Sequence, residues 1–142
     1  PGGSDLQGLE LASGEPLYER VAALADTWNE HGNVGLVVGA TAPEELEGIR
    51  ETVPNVPFLV PGVGAQGGDA EAAVEHGLAS SDAWPVDVGL VNSSRGIIFA
   101  GEEVGRNTVS GASGGRDPDE DAYFAAAGDA AARLKKRLNQ HR

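Results

Sequence analysis

The sequence contains no cysteine and no methionine. Without cysteine there is no disulfide, no thiolate nucleophile and no Cys-based zinc site. The three histidines, His31, His76 and His141, are scattered, and none sits at metal-ligand spacing to another. No apolar run approaches the ~18 residues that a membrane-spanning helix needs. The first residues lack the pattern of a secretory leader. Positive charge is scarce: 10 Lys and Arg stand against 22 Asp and Glu, a net charge of -12. Such a chain does not bind nucleic acid through general electrostatics, because neutralising phosphates needs a basic surface. Only Lys135 and Lys136 are lysines. Acid excess, little lysine and abundant Ala, Gly and Val predict a halophilic protein of a high-salt cytoplasm. There a Debye length of ~3 Å near 1 M salt screens self-repulsion.

What is present is enough for one domain: 142 residues, 40% of them apolar. Four segments have helical periodicity. The first covers about Glu15 to Glu30, with Leu17, Val21, Leu24 and Trp28 as its stripe and Gly32 as its stop. The second covers about Ala42 to Val53, with Leu46, Ile49 and Val53 inward. Thr41-Ala42-Pro43-Glu44 predicts a capping box at its start, with Pro43 in the first turn. The third covers about Asp69 to Leu78, with Ala70, Ala73, Val74 and Leu78 inward. The fourth covers about Glu120 to Asn139, with Tyr123, Ala127, Ala130, Leu134 and Leu138 on one face. Lys135, Lys136 and Arg137 end it, where the helix dipole favours cations.

Three β-branched runs alternate with these helices: Val34–Val38, Val56–Val60 and Val86–Val91. Continuous apolar runs predict strands covered on both faces. Alternation of strand and helix predicts βαβ units and a parallel sheet. A helix leads, with no strand before it, and a (β/α)₈ barrel takes about 250 residues. The expected fold is therefore α/β: the C-terminal part, about units six to eight, of a (β/α)₈ TIM barrel. Residues 1–142 form one partial barrel domain in this reading. The stretch at about 102–119, rich in Gly and Ser and without apolar period, is expected to be a flexible surface insertion.

Two loops carry the chemistry. Pro61-Gly62-Val63-Gly64-Ala65-Gln66-Gly67-Gly68-Asp69 follows a strand and leads into a helix. Its glycines let the backbone approach a ligand, its N–H groups can cradle an anion, and Gln66 adds a neutral donor. Gly62, Gly64 and Gly67 also fit the G-x-G-x-x-G dinucleotide spacing. Against that, Asn92 and Ser93, not an acidic residue, follow the next strand. A plain glycine-rich turn is the remaining alternative. The second loop, Asn92-Ser93-Ser94-Arg95-Gly96, ends the last strand. Arg95 offers a planar fork of donors suited to phosphate. In (β/α)₈ barrels the loops after strands seven and eight frequently make a phosphate site.

These loops, with Val38-Gly39-Ala40-Thr41-x-Pro43-Glu44-Glu45-Leu46 and Val91-Asn92-Ser93-Ser94-Arg95-Gly96-Ile97, closely resemble orotidine 5′-phosphate decarboxylase, in the subfamily with the Asn-Ser-Ser-Arg-Gly-Ile ending. The resemblance covers nearly the whole chain in order, apart from the insertion. It implies a cofactor-free, homodimeric cytoplasmic barrel that converts orotidine 5′-phosphate to UMP. Gln66 and Arg95 match the side chains that hold the substrate phosphate, with the Ser94 N–H beside them. Pro61, Gly62, Val63 and Gly64 match the loop that closes over the nucleotide. The family's catalytic Asp-Lys-Asp network has no counterpart here, so no catalytic residue is assigned in this chain and the chain alone is expected to be inactive. Alternatives are an inert phosphate-binding half-barrel, or another phosphate-binding barrel enzyme.

Overall fold

The computed structural model describes residues 3–64, 67–79, 88–102 and 120–142. Its elements are α1 (Ser4–Gln7), α2 (Leu17–Thr27), β1 (Leu36–Val37), α3 (Pro43–Thr52), β2 (Phe58–Pro61), α4 (Ala70–Glu75), β3 (Gly89–Asn92), α5 (Arg95–Ile98) and α6 (Glu120–Leu138). The strands lie in the order β1-β2-β3, all parallel, with Val37 opposite Leu59 and Leu59 opposite Leu90. Parallel neighbours joined through helices are the arrangement expected of an arc of a (β/α)₈ barrel. The expected insertion, beyond Glu102, and the start of the third predicted strand lie outside the described residues.

One face of the sheet is covered. Phe58 and Val60 of β2 pack there with Leu46 and Ile49 of α3, Val53 and Val56 of the following turn, and Ala70 and Ala73 of α4. Leu134 and Leu138 of α6 and Tyr18 of α2 pack against this core. Burial of each large side chain contributes roughly 1.5–3 kcal/mol. Arg50 fastens the layers together. Its Nε donates to the His76 carbonyl at 2.9 Å, and its Nη1 and Nη2 donate to Val53, Pro54, Val56 and Gly77 carbonyls at 2.9–3.2 Å. The guanidinium also lies 3.6 Å from the centre of the Phe58 ring. One side chain thus binds the end of α3, the entry to β2 and the exit of α4.

The other face of the sheet is open, which corrects the expectation of strands covered on both sides. Val37, Leu59 and Leu90 are 70%, 37% and 70% exposed and stand in one row across the register. The apolar runs are continuous because they suit a closed barrel, and among the described residues the helices cover one face only.

Two other expectations are corrected. In α2 the buried residues are Ala22 and Ala25, while Val21 and Trp28 are 50% and 66% exposed. The helix turns its small side toward the core, allowing close approach to α3. Its C-cap is Trp28, and Gly32, with φ 64°, serves the turn beyond. At α3 no capping box forms: Ala42 is the N-cap and no side chain caps it. The ring of Pro43 holds the preceding residue out of the helical region, so Ala42 cannot be the first helical residue after a Thr41 cap.

Candidate anion-binding site

The site grows from the C-terminal ends of β2 and β3. Pro61 ends β2 and pairs with Asn92, which ends β3. Beyond Pro61 the chain turns on itself: Gly62 and Gly64 have φ of 98° and 102°, and Gly67 has 77°. Side chains rarely adopt this region, so the glycines are required. The Gly68 N–H donates to the Gly62 carbonyl at 3.0 Å, and Gly67 N–H to Gly64 carbonyl at 2.9 Å. Asp69 then caps α4, its carboxylate accepting from the Glu71 and Ala72 N–H groups at 2.8 and 3.4 Å. The Asp69 N–H donates to the Ala40 carbonyl at 3.2 Å, tying the loop to the exit of β1.

The second loop follows β3. Asn92 Nδ2 donates to the Ser94 Oγ at 3.3 Å. Ser94 is the N-cap of α5, and its carbonyl accepts from Ile97 and Ile98. The Arg95 and Gly96 N–H groups therefore lie ahead of the helical ladder. The Tyr123 hydroxyl donates to the Ile98 carbonyl at 2.9 Å, pinning α5 to α6.

The two loops share one cleft of about 70 Å³, walled by Pro61, Gly62 and Val63 on one side and by Ser93 to Gly96 on the other. Pro61, Gly62, Ser94 and Arg95 are thus brought together. Val63 borders the cleft and is itself buried, packed into the core. Gly64 sits at the rim of the loop, where a Cβ would approach the Ser93 Oγ to 3.2 Å. Gln66 lies outside the described residues. Arg95 is exposed and makes no ion pair among the described residues. A free guanidinium, small walls and forward-facing N–H groups suit an oxyanion.

A second cavity, of about 300 Å³, adjoins this cleft and shares Ser93 and Gly96 with it. Arg133 and Arg137 of α6 line its outer side. The sequence signal for this pair was a four-residue spacing on one helix face, which the run of basic residues ending the helix obscured. Among the described residues no three His, Asp or Glu side chains gather to hold a metal, and no helix is long and apolar enough to cross a membrane.

No family model matches the chain. A relative from Halorubrum lacusprofundi named orotidine 5′-phosphate decarboxylase is 75% identical over all of this chain and 48% of its own length. One of the same name from Haloarcula marismortui is 68% identical over all of this chain and 46% of its own. The chain thus spans about half the length of the curated relatives it matches. Among solved structures, Leishmania donovani UMP synthase aligns with a TM-score of 0.63 at 36% identity, covering 97% of this chain and 26% of that one. Leishmania donovani OMP decarboxylase aligns with a TM-score of 0.60 at 34% identity, covering 96% and 44%. Over its whole length, the chain is a close homologue of the C-terminal region of the orotidine 5′-phosphate decarboxylases of halophilic archaea.

Proposed function

We propose that the chain is the phosphate-binding part of an orotidine 5′-phosphate decarboxylase, which releases CO₂ from orotidine 5′-phosphate to give UMP in pyrimidine biosynthesis. It corresponds to about units six to eight of the barrel, and the enzyme works without a cofactor, as a cytoplasmic homodimer. The observation that carries this reading is the single cleft in which Arg95 meets the glycine loop. Arg95 presents its fork to the dianionic phosphate, and the Ser94 to Gly96 backbone supplies further donors. Gln66 adds a neutral donor from the loop. Pro61 to Gly64 close over the nucleotide. Binding energy gathered at the phosphate, remote from the reacting carbon, then serves to organise the transition state.

The proton-donating lysine and its carboxylates are not among these residues. Lys135 and Lys136, the only lysines, are exposed near the end of α6. The chain alone is therefore expected to give no turnover above background. In the full-length enzyme, Arg95→Ala should lower kcat/KM toward orotidine 5′-phosphate by about 2–4 kcal/mol, and Gln66→Ala by about 1–2 kcal/mol. Both should act far less on orotidine, which has no phosphate. An equal loss with both substrates at Arg95→Ala would place that residue in the fold or the ring site and overturn the assignment.

A further inference from the structure

We propose that Arg133 and Arg137 form a second oxyanion site, next to the Arg95 cleft, that takes a phosphate-class dianion. The two residues are one helical turn apart on α6, so both face the cavity that also meets Gly64, Ser93 and Gly96. No carboxylate lines that cavity. Neither guanidinium makes an ion pair or hydrogen bond among the described residues, although the chain carries 22 acidic groups. Asp129 is four residues before Arg133, a spacing that permits pairing, yet the two form no pair. Like charges at this spacing repel, and an anion between them removes the repulsion. The helix dipole accounts for cations only in the last turn. Arg137 stands there, but Arg133 precedes it.

The chemistry follows from the donors. Two guanidinium forks grip a tetrahedral oxyanion bidentately, where an ammonium acts as a point charge. Glycines on the facing wall leave room for the oxyanion to approach the backbone. With Arg95 in the adjoining cleft, three arginines flank the two loops of a chain whose net charge is -12. The dianion is either free phosphate or the 5′-phosphate of a nucleotide passing toward Arg95.

The inference rests on this cavity and not on the decarboxylase reading, so its test starts from Arg95→Ala, which disables the first site. Inorganic phosphate is titrated into the full-length protein at constant ionic strength, with ³¹P NMR as readout. Saturable binding is expected to persist in Arg95→Ala and to weaken at least tenfold when Arg133→Gln and Arg137→Gln are added. A parallel titration with UMP distinguishes the sources: competition with phosphate assigns the site to the nucleotide, and its absence to the free ion. Both substituted residues are exposed, and circular dichroism checks that the fold is unchanged. Loss of all phosphate binding in Arg95→Ala alone, or binding unaffected by the two glutamines, would overturn the proposal.

Discussion

Arg50 is half buried and makes no ion pair among the described residues, and burial pushes its pKa down to about 10, so it stays charged at neutral pH. Its compensation comes from five backbone carbonyls and the face of Phe58. Each bond from a charged donor is worth more than a neutral one, and the carbonyls it serves converge from two sides. A lysine cannot span them, because its donors radiate from one nitrogen. Arg50→Lys is therefore expected to destabilise nearly as much as Arg50→Ala, about 2–4 kcal/mol each. Urea unfolding measures both, and an unchanged midpoint for the lysine variant would show that charge alone suffices. Asp69 works on a smaller scale. Its carboxylate caps two N–H groups, and Asp69→Ala should cost about 1 kcal/mol.

Among the elements, the glycine loop shows how closely backbone is packed at the candidate anion site. A Cβ on Gly68 would stand 2.6 Å from the Gly62 carbonyl oxygen and 3.0 Å from the Ala40 Cβ, with no flexible side chain to yield. Gly68→Ala should cost about 1–3 kcal/mol and displace the loop, read as a lower melting temperature together with weaker phosphate binding. The order of helices and parallel strands was legible because period and alternation are local properties of the sequence. So was the joining of the two loops, since strand ends gather at one edge of a parallel sheet. The inward side of α2 was not legible. Leu17, Val21, Leu24 and Trp28 have the spacing of a buried stripe, but close packing on α3 selected Ala22 and Ala25. The cap of α3 was misread because Pro43 acts on its predecessor, a constraint stronger than the Thr41 hydroxyl. The site role of Arg133 and Arg137 depends on how α6 docks, which no local pattern encodes.

For the whole molecule, charge and the open sheet face act together. A net charge of -12 on a chain this size opposes compaction, and added salt screens it. The thermal midpoint should rise between about 0.1 M and 2 M KCl; an equal or lower midpoint at high salt would refute the halophilic reading of the composition. The row formed by Val37, Leu59 and Leu90 responds to the same change through a different force. Ions excluded from protein surfaces, sulfate above all, make apolar contact with water more costly. Salting-out therefore acts on these three side chains while electrostatic relief is still improving the fold. The chain by itself is then well behaved only across a band of salt, bounded below by mutual repulsion of its carboxylates. The upper bound is the cohesion of a bare sheet face, and polar substitution at Leu59 would extend it.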